Sequence, residues 1–217
     1  MNKDIVLIDF DGTLFNTGEG VFFSFRYAWG KLGVPDRADE DMRIFIGPPL
    51  EYSFKNYCGL SDEDVVRAVE YYRESYIAEG IFKYYRYDGV LEMLKQLKQA
   101  GKTICTATSK PEQHVHRILE RDGELKNYID HVFGATFDKS RSEKAQVIAY
   151  AKEQLGLSTT ENVIMIGDTK NDVLGAKDQG IETIGVLYGY GTEKELVDSG
   201  AVAICKTPQD VVTTILG

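Results

Sequence analysis

Cysteine is scarce in this chain: Cys58, Cys105 and Cys205 are the only three in 217 residues. They are odd in number and far apart, and no two form a Cys-x-x-Cys pair. That argues against a disulfide or zinc framework and fits free thiols in a reducing compartment. Positive charge is also short, with 25 Lys and Arg against 34 Asp and Glu and a net charge of −9. A general basic surface for a nucleic-acid polymer or an anionic membrane is not expected. A small anionic ligand is still compatible, because a bound cation and a few local donors outweigh a distant negative surface. Long apolar runs are missing as well. Ile5 to Ile8 is too short for a signal peptide, and no run reaches membrane-spanning length. The expected location is cytoplasmic. Repeats, low-complexity segments and a disordered tail are not seen.

What is present is an alternation. Ile5 to Ile8 is a continuous apolar run ending in acidic residues and Gly12, which suits a strand buried on both faces. Similar runs follow at Thr103 to Ala107, Val163 to Ile166, Thr183 to Val186 and Ala201 to Cys205, with a weaker one at His131 to Phe133. Helix-like stretches lie between them: Val90 to Gln99, Lys144 to Leu155, Asp172 to Gln179 and Gln209 to Leu216. The expected fold is α/β, a Rossmann-like doubly wound parallel sheet. Residues 15–87 break the pattern. They offer helices at Gly20–Leu32 and Asp62–Glu79, the latter with Ser61 as N-cap. The expected organisation is a discontinuous core, 1–14 with 88–217, and an inserted α-helical cap, 15–87.

The chemistry-bearing residues sit at strand ends. Asp9 and Asp11 close the first strand, at the sheet edge where open α/β folds place their ligands. Two carboxylates so close need a positive neighbour, and Mg2+, a hard cation that prefers oxygen, is the natural one. Asp168 and Asp172 follow the Val163 to Ile166 run in the same way. If the two strands are neighbours, all four carboxylates converge. Either acidic group alone could simply cap a helix. Thr108-Ser109-Lys110-Pro111 ends another strand, where a hydroxyl and backbone N–H groups can seat a phosphate or cap a helix. Lys144 opens a helix, against the preference of the dipole for an acid there. Neutralising a phosphate would explain it.

Together, Asp9-Phe10-Asp11-Gly12-Thr13, Thr108-Ser109-Lys110-Pro111, Lys144, and Gly167-Asp168 with Asp172 resemble the haloacid dehalogenase superfamily, across nearly the whole chain. The resemblance implies an aspartyl-phosphate on Asp9, with Asp11 as general acid and then general base. It implies Mg2+ held by Asp9, the Asp11 backbone carbonyl and Asp168, with Asp172 in support. Phosphate would be bound by Thr108, the Ser109 N–H and Lys144. Asp11 argues for phosphoryl transfer over dehalogenation. The helical insertion resembles the first type of cap. The subgroup resembles phosphoglycolate phosphatases and 5′-nucleotidases; segments such as Ile46-Gly47-Pro48-Pro49-Leu50 and Ser140-Arg141-Ser142-Glu143-Lys144 favour the latter. One departure is Asp88-Gly89, where many relatives have Pro-Gly. By analogy, Arg43 and the Gly47 turn are candidates for specificity.

The expected partner is a small phosphorylated metabolite, and the expected assembly a monomer or homodimer. Two other readings use the same residues. One is a phosphosugar mutase of the β-phosphoglucomutase type. The other is a receiver-like phosphoacceptor module, which needs no cap. His114 and His116, two apart on a helix, share no face and are not metal ligands on this reading.

Overall fold

A computed structural model describes residues 1 and 3–217. In chain order its elements are β1 (Ile5–Ile8), β2 (Phe15–Asn16), α1 (Gly18–Leu32), α2 (Asp39–Met42), α3 (Leu50–Tyr52), α4 (Asp62–Ala78), β3 (Tyr85–Arg86), α5 (Val90–Gln99), β4 (Thr103–Pro111), α6 (Glu112–Asp122), β5 (His131–Ala135), α7 (Lys144–Gln154), β6 (Val163–Gly167), α8 (Lys170–Asp178), β7 (Glu182–Val186), α9 (Glu193–Ser199), β8 (Ala203–Cys205) and α10 (Pro208–Leu216). The chain packs as two units, Met1–Phe15 with Arg86–Gly217, and Asn16–Tyr85.

In the first unit, the described residues form a six-stranded sheet in the order β5-β4-β1-β6-β7-β8, every neighbouring pair parallel. The chain builds outward from β1 to β4 and β5, then returns to β6 on the other side of β1. The strand order therefore reverses at β1/β6, the place where doubly wound sheets open a crevice at their carboxyl ends. The apolar runs form these strands because both faces are covered. Leu7, Cys105 and Met165 stand in register across β1, β4 and β6 and share one core cluster with Val147, Ile148 and Ala176 of α7 and α8. All three cysteines are free.

Several elements differ from the sequence expectation. β4 runs on to Pro111 instead of stopping at Ala107, with a register shift between Ala107 and Pro111. Thr108 is therefore a strand residue and not a helix cap; α6 begins only at Glu112, after Pro111. Helix α8 starts before Asp172, at Lys170, because the Thr169 hydroxyl accepts the Asn171 N–H at its N-terminus. Strand β8 is shorter, beginning at Ala203. Helix α9 was not anticipated; α6 is the helix on which His114 and His116 were placed, and Val115, Ile118 and Leu119 are buried at helical spacing in it.

The second unit is helical. Ser61 caps α4 as expected, accepting the Asp64 N–H at 3.1 Å. Phe25 of α1 packs against Phe45, Phe54 and Tyr72 with ring centroids 4.7 to 4.9 Å apart. Gly20 lets α1 approach the turn at Gly80: a Cβ on Gly20 would lie 2.0 Å from the Gly80 carbonyl oxygen. In an open helix interior, Gly→Ala is favourable by about 1 kcal/mol. Here the opposite sign is expected. Gly20→Ala should cost on the order of 1–3 kcal/mol through overpacking, measured as a lower denaturant midpoint.

Candidate active site

Asp9 is the first residue after β1, and its N–H donates to the Ile166 carbonyl of β6 at 2.9 Å. Asp168 is the first residue after β6. Since Ile8 is in register with both Ile166 and Thr106, the ends of β1, β4 and β6 are level. The strand adjacency that convergence required is present. One carboxylate oxygen each of Asp9, Asp168 and Asp172 lies within 4.8 Å of the others. All three residues are buried.

Lys144 balances this group. From the first residue of α7 its Nζ reaches Asp9 Oδ1 at 2.6 Å and the Ala107 carbonyl at 2.9 Å, and it forms an ion pair with Asp172 Oδ1 at 2.7 Å. The reach depends on close packing of α7 on α8: a Cβ at Gly175 would sit 2.7 Å from Lys144 Cβ. Asp172 does two jobs. Its Oδ2 accepts the Thr169 N–H at 3.0 Å and hydroxyl at 3.1 Å, which caps α8, while Oδ1 faces Lys144. Asp172 thus caps α8 and also belongs to the carboxylate group with Asp9 and Asp168.

A glycine-lined loop holds Asp168. Tyr190 N–H donates to its Oδ2 at 2.7 Å, and the Thr13 hydroxyl lies 3.4 Å from its Oδ1. A Cβ on Gly12 or Gly189 would come within 2.4 Å of that Oδ2, and one on Gly191 within 2.0 Å of the Asp168 carbonyl oxygen. Gly12 also has φ +88°, so glycine is required there twice over.

Burial dominates the electrostatics. It pushes the Asp9 carboxyl up to about 6; Lys144 opposes the rise, and the charges of Asp172 and Asp11 add to it. Asp168 is raised well above the carboxylate range, again by burial first and then by Asp172 and Asp9. Burial disfavours the Lys144 ammonium, but Asp172 and Asp9 outweigh it and hold Lys144 charged. Three buried carboxylates thus share one ammonium. The donor set is all oxygen and short of positive charge, so it fits a hard divalent cation.

The remaining candidates fall as follows. Thr108 is buried on the same face of β4 as Thr106, and Ser109 is exposed. Arg43 and Gly47 are exposed residues of the helical unit, Gly47 with φ +103°. Lys110 was quoted within a sequence motif but given no role of its own. Its Nζ lies 2.9 and 3.1 Å from the two oxygens of Asp11. Its direction could not be read from a strand taken to end at Ala107, because β4 continues past that point through a register shift. Tyr190 and Thr13 were also missed, since a backbone donor and a distant hydroxyl leave little sequence signature.

The family model for haloacid dehalogenase-like hydrolases matches residues 6–186. The chain belongs to this family. Over 88% of its length it is 35% identical to a Pseudomonas aeruginosa 5′-nucleotidase, covering 86% of that protein. It is also 35% identical over 88% of its length to the Mycobacterium tuberculosis tyrosine-protein kinase PtkA, of which it spans 64%. A Vibrio parahaemolyticus phosphoglycolate phosphatase is 31% identical, with 87% of this chain and 86% of that protein covered. Among solved structures, a protein from Clostridium acetobutylicum described as a predicted phosphatase has a TM-score of 0.92 at 36% identity, with 99% of this chain and 98% of that one covered. This haloacid dehalogenase-like protein is an enzyme of the phosphatase kind, a phosphoric monoester hydrolase. Among the described residues, no helix is long and apolar enough to cross a membrane.

A carboxyl with a higher pKa folded than unfolded favours the fold while protonated and disfavours it once ionised. For Asp9 the window runs from 3.8 to about 6. Metal-free protein should therefore lose stability as pH rises through that window, by on the order of 2–3 kcal/mol from this group. Thermal melts in EDTA at several pH values check it. The Asp9→Asn variant should gain on the parent as pH rises; a constant gap would contradict the described cluster.

Proposed function

We propose that this enzyme is a Mg2+-dependent phosphatase that hydrolyses a small phosphate monoester of the nucleoside 5′-monophosphate type through an aspartyl-phosphate on Asp9. The observation that carries the reading is Asp9 itself. It is a buried carboxylate at the central strand end, ion-paired to Lys144 and grouped with Asp168 and Asp172.

In the first half-reaction an Asp9 oxygen attacks phosphorus, and the bond from phosphorus to the ester oxygen breaks. Asp11 gives its proton to the departing alcohol. In the second half, Asp11 takes a proton from water, the resulting hydroxide attacks phosphorus, and Asp9 leaves as carboxylate with release of phosphate. Splitting the reaction avoids direct attack of water on a phosphate monoester dianion. Lys144, the Thr108 hydroxyl and the Ser109 N–H hold the phosphoryl oxygens as charge moves among them. Asp9, the Asp11 carbonyl and Asp168, supported by Asp172, would hold Mg2+, whose charge offsets repulsion between carboxylate and phosphoryl group.

We assign choice of leaving group to the helical unit as a cap, with Arg43 and Gly47 as its candidate contacts. The nucleotide class rests on the 35% identity to the protein named 5′-nucleotidase, against 31% to the phosphoglycolate phosphatase.

Asp9→Asn is nearly isosteric. It should lower kcat by at least about three orders of magnitude while the protein still melts cooperatively, since losing a covalent nucleophile removes a whole route. Wild-type turnover in that variant would end the nucleophile assignment. EDTA should abolish phosphate release and added Mg2+ restore it. A panel of monoesters assayed for released phosphate should give the highest kcat/KM with nucleoside 5′-monophosphates. Preference for phosphoglycolate would replace that substrate class, and dependence on a bisphosphate activator would point to a mutase.

A further inference from the structure

Asp11 stands in a different setting from the other site carboxylates. It follows the end of β1, just before the turn at Gly12, and its side chain is 24% exposed. Side chains of this kind have several staggered rotamers. Yet an acid-base group must face the departing oxygen in one orientation, because a misaligned proton donor loses most of its effect.

Lys110 supplies that constraint. Its side chain is only 5% exposed, and its ammonium engages both Asp11 oxygens, at 2.9 and 3.1 Å. The ammonium also lies over the face of Phe10, with Nζ 5.9 Å from the ring centroid. The lysine is itself firmly held. Its N–H donates to the Thr108 hydroxyl at 3.2 Å. Gly134 of β5 makes room for its carbonyl: a Cβ there would lie 2.6 Å from the Lys110 oxygen. Gly134 is braced in turn, its N–H donating to Glu112 Oε1 at 3.2 Å and its carbonyl accepting from Arg141 Nε at 2.8 Å. The Arg141 guanidinium also pairs with Glu112 at 2.7 Å and lies 3.7 Å from the centroid of the Tyr150 ring. The irregular end of β4 thus holds the Lys110 ammonium against the Asp11 carboxylate.

We propose that Lys110 is a positioning residue for Asp11, fixing the carboxyl that protonates the departing oxygen and so setting how well the enzyme expels a poor leaving group. The inference rests on the proposed acid-base role of Asp11. When the proton passes from Asp11 to the ester oxygen and the P–O bond breaks, Asp11 becomes an anion with the Lys110 ammonium already in place. A leaving group stable as its own anion, such as p-nitrophenolate, gains little from that arrangement. An unsubstituted phenolate gains more.

The test is a series of substituted phenyl phosphates of similar size, from p-nitrophenyl to phenyl, assayed with the full-length enzyme and Mg2+. The readout is kcat/KM, which covers steps up to departure of the leaving group. Lys110→Met should lose about tenfold more on phenyl phosphate than on p-nitrophenyl phosphate, so its leaving-group dependence is steeper than that of the parent. Lys110→Arg, which keeps the charge, should recover part of the loss on phenyl phosphate. Lys110→Gln is the substitute should the Met variant melt early. Equal losses across the series in folded neutral variants would overturn the proposal and leave Lys110 a structural residue. Asp11→Asn separates the two claims. If it keeps turnover of phenyl phosphate, the acid-base reading has failed. If it loses turnover while the Lys110 variants show a flat loss, only the positioning role has failed.

Discussion

One ammonium holds the site together. Lys144 joins the nucleophile candidate Asp9 to Asp172, inside a cluster that also contains Asp168 and is closed to water on most sides. Without it, three buried carboxylates would face each other in a low-dielectric interior, where an unpaired charge costs several kcal/mol. Its placement governs the surrounding packing. Helix α7 has to begin beside the sheet edge and lie tightly on α8, which is why α8 carries glycine at 175. The lysine opposes the dipole of its own helix, so its stabilisation comes from Asp9 and Asp172 and not from α7.

The arrangement stores instability where chemistry is needed. Asp9 and Asp168 are both pushed toward their protonated forms by burial and mutual repulsion, and a single lysine cannot satisfy both. Such a group gains most from a ligand that brings positive charge. The parallel sheet tolerates this because its strain is local. The cost falls at strand ends and loops, while Leu7, Cys105 and Met165 keep the middle of the sheet well packed.

Much of this was readable in the amino-acid order, for identifiable reasons. Buried parallel strands need unbroken apolar runs, so β1, β6 and β7 were visible within a residue or so. Strand-end acids at 9, 11, 168 and 172 stood out because each follows such a run. Their convergence, however, depends on β1 lying beside β6, and strand order is a property of the whole sheet. Lys110 was missed because β4 continues past Thr108 through an irregular stretch; a strand assumed to end at Ala107 gives residue 110 no direction. The Tyr190 N–H is a backbone group, so its role has no residue-type signal. Asp172 shows that capping a helix and pairing with a buried lysine are not exclusive, since its two oxygens are used separately.

The wall around Asp168 has a consequence for how enzymes of this build diverge. Gly12 and Gly189 bring bare backbone against that carboxylate and Gly191 against the Asp168 carbonyl, leaving no room for even a methyl group. These positions cannot record a change of diet. An ancestor could pass this part of the site unchanged to descendants with different substrates, because no side chain there is free to be rewritten. Novelty has to be drafted at positions that still have space.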